Sequence, residues 1–299
     1  MSRVHRPGLR PSLRRLIQIS SAVLFNGYLL GFGTGRIFTG ASKAVCVPVL
    51  NCYSCPGALG ACPIGSLQAA LGRRGGRFPF YVLGSLMLFG VVLGRLICGF
   101  LCPFGLVQEL LHRIPAHRLH VAPGLDRALR YLKYVVLAVL VVILPLAVLD
   151  ANGVSKPYFC EFLCPAGTLE GGLPLLMLDS RLRQAAGWLF DWKLMVLAAV
   201  LGLSVFIERP FCKYLCPLGA FYALFNRFSL YRMHLDTQRC IGCRRCEAVC
   251  PMQVKVTDDI NGPECIRCGQ CVKACPVKAI TAGFELAGPT AGSARRGDG

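Results

Sequence analysis

The stretch FCKYLCPLGA, residues 211–220, sets a Cys-x-x-x-Cys-Pro motif directly after an apolar run that ends at Ile207. Cys-x-x-x-Cys-Pro is the closing half of a run that ligates iron-sulfur clusters, and a Cys-x-x-Cys normally opens it. No opening half precedes this one. A half site at the end of an apolar segment therefore needs a second half from elsewhere in the chain.

Repetition supplies it. GRLICGFLCPFG (94–105) matches ERPFCKYLCPLG (208–219), and ACPIGSLQAAL (61–71) matches LCPAGTLEGGL (163–173). These matches describe a tandem duplication of one two-span unit. Cys98 and Cys102 are thereby expected to join Cys212 and Cys216 in one four-thiolate site at the cytoplasmic end of the bundle. On the outer side Cys160 and Cys164 face CVPVLNCYSCPGALGACP (46–63), which offers six cysteines for four places. The repeat favours Cys62 with Cys160 and Cys164, completed by Cys52 or Cys55, and leaves Cys46 weakest. Cysteines as inert small hydrophobes would explain one pair, but four matched sites sharing the same Pro and Gly argue against it. Cys-Pro-x-Gly suits a turn into a short re-entrant or interfacial helix whose N-terminal amides can donate to sulfur.

Composition agrees with a membrane setting. Of 299 residues 54% are hydrophobic, too many for an ordinary soluble domain. The 18 cysteines are grouped in Cys-x-x-Cys and Cys-x-x-x-Cys units of a long chain, which favours metal thiolates over a disulfide scaffold. A net charge of +18 raises nucleic acid as a partner, but Arg and Lys cluster beside apolar runs, where anionic lipid headgroups account for them. Four spans are expected, at 16–33, 78–97, 131–149 and 188–207. Gln18, Ser20, Ser21 and Asn26 interrupt the first and have to face other helices. Five Arg in the first 15 residues, and four Arg with Lys133 in 113–133, put both termini on the cytoplasmic side of a bacterial-type inner membrane. The fold class expected is an all-α four-helix membrane core over 16–230 after a basic leader at 1–15. A small α+β two-cluster ferredoxin domain follows at 231–284, then a disordered tail at 285–299.

CIGCRRCEAVCP (240–251) and CIRCGQCVKACP (265–276) carry the most specific signal. Each is C-x2-C-x2-C-x3-C-P, in which the fourth Cys serves the other cluster. One 4Fe-4S cluster is assigned to Cys240, Cys243, Cys246 and Cys275, the other to Cys265, Cys268, Cys271 and Cys250. Zinc is disfavoured, since its sites use two well-separated Cys pairs.

Other residues carry less. None of His5, His112, His117, His120 and His234 lies inside an apolar span, which argues against an intramembrane bis-histidine haem. The loop histidines and Glu109 are weak candidates for a quinone headgroup. Asp150, Asp191 and Glu208 sit near span ends and leave no proton path, and Trp188 and Trp192 read as an interfacial belt. No catalytic residue is assigned.

Paired Cys-x-x-x-Cys-Pro motifs after apolar spans, plus the double run, resemble the polyferredoxin-like membrane proteins across residues 16–280. That family is typified by the quinol dehydrogenase ferredoxin subunit of periplasmic nitrate reductase, and the membrane core of the nitrous-oxide reductase regulator is similar. The resemblance implies electron exchange with the quinone pool or with redox proteins on one or both faces, within a larger respiratory complex. The outer-side cysteines depart from the simplest members and suggest a wire of four clusters across the membrane. The alternative is a maturation or regulatory iron-sulfur protein assisting another metalloenzyme.

Overall fold

The structure, a computed structural model, describes residues 13–74, 78–119 and 121–284. The tail at 285–299, most of the basic leader, His5 and His120 lie outside the described residues.

Helix α1 (Leu13–Phe25) buries Gln18 and Ser21. Their side chains donate to Gly99 O at 3.0 Å and Leu101 O at 2.8 Å, so these two polar interruptions face another segment; Ser20 is exposed, and Asn26 Nδ2 donates to Ala22 O one turn back. After the 46–62 loop come α2 (Pro63–Leu71), α3 (Phe80–Leu93), α4 (Leu96–Phe100) and α5 (Pro103–Leu111). Two longer helices follow, α6 (Gly124–Ala147) and α7 (Trp188–Phe206). Then come α8 (Pro210–Tyr214) and α9 (Pro217–Phe225). Helices α2, α5 and α9 each open on the proline of a Cys-Pro motif, where the missing N–H costs nothing and the fixed φ suits the first turn.

Three wide, π-type turns lie just before prolines: Leu137–Ile143 before Pro145, Phe159–Leu163 before Pro165 and Thr168–Gly172 before Pro174. A proline removes the donor for the carbonyl four residues earlier and crowds it, and widening the preceding turn relieves both. The second of these turns carries Cys160.

The expectation of four spans is corrected. Among the described residues, two helices are long and apolar enough to cross a membrane, Gly124–Ala147 and Trp188–Phe206. Helix α1 has 13 residues and α3 has 14. At about 1.5 Å per residue they rise roughly 20 Å, short of a hydrocarbon core of about 30 Å. Helix α3 ends because Gly94 takes φ +53°, with Asn226 Oδ1 2.8 Å from where a Cβ would stand. That bend turns Arg95 and Cys98 inward, so the length expected for a span is spent on building a site.

The α+β expectation for 231–284 is corrected too. The described residues there hold one antiparallel pair, β1 (Tyr231–Leu235) with β2 (Ile280–Phe284), in register Tyr231↔Phe284 to Leu235↔Ile280. Between the strands stand two one-turn helices, α10 (Arg245–Ala248) and α11 (Gln270–Ala274). Loops that aim cysteines inward take up the rest, leaving too little regular structure for an α+β layer. Nor is the segment separate in packing: Met252, Val254 and Ile266 belong to the same apolar core as Leu86, Ile97, Phe104 and Phe211.

Candidate iron-sulfur sites

Cys98 on α4, Cys102 before α5, Cys212 on α8 and Cys216 before α9 are all buried. With Pro48, Val49, Leu50, Arg95 and Leu218 they line one pocket. The duplication acts reciprocally here. Arg95 and Arg209 hold matching places in the repeat. Arg95 Nη2 donates to Cys212 O at 3.2 Å, and Arg209 Nη1 donates to Cys98 O at 2.6 Å. Gly219 N donates to Cys216 Sγ at 3.4 Å from the first turn of α9. Burial pushes the thiols of Cys102, Cys212 and Cys216 up, so these sulfurs become thiolates only beside a compensating cation. Four soft donors around a cavity fit a multi-iron group.

Cys62, Cys160, Cys164 and Cys52 form a second gathering. A Cβ on Gly167 would stand 3.5 Å from Cys52 Sγ and 3.6 Å from Cys164 Sγ; one on Gly65 would stand 3.7 Å from Cys160 Sγ. At those distances a methyl group would only touch the sulfurs, so both glycines lie directly against the gathered thiols. Gly167 N donates to Cys164 Sγ at 3.3 Å, and Cys52 N donates to Glu170 Oε2 at 2.8 Å. Burial pushes the Cys62 thiol up to about 11 and the Cys160 thiol to about 12. Cys55 points elsewhere, its thiol 3.5 Å from Asn26 Oδ1. Cys46 sits on an isolated bridge to Ala61. The structure thus gathers Cys52 rather than Cys55, and leaves Cys46 aside.

The two gatherings lie toward opposite ends of α7. Trp192 Nε1, near its start, donates to Phe162 O at 3.0 Å, while Arg209, just past its end, holds Cys98. Between them is Tyr222, fully buried, whose phenol is pushed up first by burial and then by Cys98, Cys62, Cys216 and Cys102.

In the polar segment, Cys250, Cys265, Cys268 and Cys271 line a pocket with Met252, Val254 and Ile266. Cys250, from the first run, thus sits among the cysteines of the second. Cys246 and Cys275 pack together around Met233, Val256 and Ile280; Cys240 adjoins Cys246, and Cys243 is exposed. Positive φ recurs at matching offsets, at Gly242, Arg244 and Gln253 in the first run and Arg267, Gly269 and Lys278 in the second. Such reversals turn successive N–H groups to one side and make the concave nests that receive anionic clusters. Accordingly Val254 N donates to Cys250 Sγ at 3.4 Å and Ala279 N to Cys275 Sγ at 3.3 Å.

Among the described residues no three His, Cys, Asp or Glu side chains converge as a single metal ion requires. Their sulfurs stand around cavities instead. Glu109 is committed to Arg14 and to Arg209 at 2.9 Å, and His112 Nδ1 meets Ser204 O at 3.2 Å. Neither is presented to a ligand. Motif spacing does not mark Arg95, Arg209, Glu264, Gln68 or Gln108, although the arginine stands at the same place in both copies of the repeat.

One seam joins the polar segment to the helices. Arg95 Nη1 donates to Pro263 O at 2.7 Å and Glu264 Oε2 at 3.0 Å, and Lys133 Nζ reaches Glu264 Oε1 at 2.5 Å. Burial raises the Glu264 carboxyl, but Arg95 and Lys133 outweigh it and hold it below its usual range. Asn226 Nδ2 donates to Gly262 O at 2.6 Å and Cys265 O at 3.0 Å.

A half-apolar chain with two helices of spanning length and these four thiol gatherings defines the class: a cysteine-rich iron-sulfur protein with membrane-type helices. The 4Fe-4S binding domain family matches residues 60–81, 79–121, 134–173 and 189–236, half of the chain, and a 4Fe-4S dicluster domain matches 232–276. The chain belongs to the 4Fe-4S binding domain family. It is 31% identical to Uncharacterized protein MJ0749 of Methanocaldococcus jannaschii over 184 residues, 60% of each chain. The methylamine utilization ferredoxin-type protein MauN of Paracoccus denitrificans is 30% identical over 174 residues, 57% of this chain and 54% of the relative. Regulatory protein NosR of Stutzerimonas stutzeri is 29% identical over 183 residues, 58% of this chain and 22% of the relative. The chain thus spans less than two thirds of each of these relatives. No solved structure matches it.

Proposed function

We propose that the protein relays electrons through four 4Fe-4S clusters between redox partners on the two faces of a membrane. In this reading the ligand sets are Cys240, Cys243, Cys246 and Cys275; Cys250, Cys265, Cys268 and Cys271; Cys98, Cys102, Cys212 and Cys216; and Cys52, Cys62, Cys160 and Cys164. When bound, each cluster supplies a one-electron carrier. The chain's part is to hold these carriers in order, exclude water from them and set their potentials.

The observation that carries the proposal is the seam. Arg95 touches Cys212 O on one side and Glu264, next to Cys265, on the other. In addition, Gly99 packs so closely on Ile266 that a Cβ there would come within 2.4 Å of Ile266 O. Residues next to Cys98 thus press on the residue between Cys265 and Cys268. That contact supports placing the Cys265 set beside the Cys98 set in the proposed path: the set containing exposed Cys243 meets a soluble partner, the Cys265 set follows, then the Cys98 set, then, past Tyr222, the Cys160 set, which serves a second redox protein or the quinone pool. MauN and NosR, named for methylamine utilization and for regulation, fit a role beside another redox system.

Iron and acid-labile sulfide counted on protein purified without oxygen test the reading. Four cubanes give about 16 iron atoms per chain. A count near eight, one dicluster's worth, would remove the two helix-borne clusters and the relay with them.

A further inference from the structure

Six residues after the Cys-Pro cysteine stand Gln68, following Cys62, and Gln108, following Cys102. Both are buried, at 1% and 0% exposure. Gln68 Nε2 donates to Cys160 Sγ at 3.4 Å, and its Oε1 accepts from Phe159 N at 3.0 Å. Gln108 repeats the arrangement with Cys212 Sγ at 3.1 Å and Phe211 N at 3.1 Å. The orientation of each amide is dictated by its neighbours. Only the oxygen can meet the phenylalanine N–H, and the nitrogen also reaches a carbonyl one turn back, Ile64 O or Phe104 O at 3.3 Å. One N–H is left for sulfur.

The same register in the second halves of the repeats does something else. Glu170, six after Cys164, accepts from Cys52 N at 2.8 Å. Tyr222, six after Cys216, donates to Pro48 O at 3.0 Å. Those two anchor the 46–62 loop to the helices. The glutamines instead each grip the first cysteine of the partner motif, its sulfur and the amide just before it.

A hydrogen bond to a ligating sulfur draws electron density from it. The reduced cluster carries one more negative charge and gains more from the donor, so its reduction potential rises. We propose that Gln68 and Gln108 are positioning residues that set the reduction potentials of the two helix-borne clusters, each through the one sulfur it contacts. The inference rests on reading those two cysteine sets as 4Fe-4S ligands.

Four variants of the full chain test it: Gln68→Glu, Gln68→Met, Gln108→Glu and Gln108→Met. Glutamate keeps the acceptor for the phenylalanine N–H but turns an oxygen toward the sulfur; methionine is similar in size and lacks both groups. Each is read by iron content and by redox titration followed by electron paramagnetic resonance. The expected result is full iron in the Glu variants, with one signal moved to lower potential. A shift of about tenfold in the one-electron equilibrium corresponds to about 59 mV. Methionine should fall between glutamine and glutamate, and the two positions should move different signals. Unmoved midpoints in fully loaded Glu variants would overturn the proposal. So would loss of the cluster from both variants at a position, which would make the glutamine a structural clamp. Wild-type protein holding only about eight iron atoms, one dicluster's complement, would instead defeat the underlying assignment.

Discussion

Glu264 accepts from two buried cations, Arg95 at 3.0 Å and Lys133 at 2.5 Å, whose side chains are 0% exposed. By formal charge the group carries one excess positive charge, and that asymmetry predicts which substitution hurts more. Glu264→Gln leaves two buried cations facing each other, whereas Arg95→Met leaves a neutral Lys133–Glu264 pair. Removing one partner of a buried ion pair costs about 3–5 kcal/mol. We expect Glu264→Gln to cost that much and Arg95→Met clearly less, with the double variant less destabilised than the sum of the two. Thermal unfolding in detergent, followed by the visible absorbance of the iron-sulfur groups, ranks them; Arg95→Met as the more damaging change would refute this account of the seam. Arg95 and Arg209 could have been singled out from the repeat, since both precede the first cysteine by three residues. Glu264 could not, because nothing local distinguishes it from a surface carboxylate.

Helix α4 shows what a single glycine does at the scale of an element. A Cβ at Gly99 would stand 2.4 Å from Ile266 O, which is backbone and cannot swing aside. At Gly202 in α7 a Cβ would meet nothing within 4 Å. Gly99→Ala should therefore push the polar segment off α4, at about 1–3 kcal/mol for overpacking, and expose the chain near Leu230 to protease. Gly202→Ala should be neutral in the same digestion. Equal protease resistance of the two variants would mean that the contact does not hold the segment. Hydropathy favoured spans at 16–33 and 78–97, yet α1 stops at Phe25 and α3 at Leu93. An apolar stretch reports what can be buried. It is silent on where a glycine bend will redirect the chain to meet a partner more than a hundred residues away.

Across the whole molecule, Arg113 and Arg118 lie before the first span and Arg127, Arg130 and Lys133 in its first three turns, while the sparser Lys156, Arg181 and Arg183 lie between the two. With two spans, this asymmetry predicts that both chain ends face the cytoplasm. A reporter fused at the C-terminal end should be cytoplasmic and one inserted at Asn152 should be external; the reverse pattern would invert the relay. The sequence by itself determined the chemistry: which residues are soft donors, that they come in 4Fe-4S spacings, and that two half motifs belong to a duplicated pair. Those are local properties, fixed by residue type and by distances of a few positions along the chain. Tertiary structure decided which helices are long enough to span, that Cys52 and not Cys55 turns toward Cys164, and that Arg95 ties Cys212 to Glu264. Each of these depends on contacts between residues distant in sequence, whose geometry is set only when the helices pack.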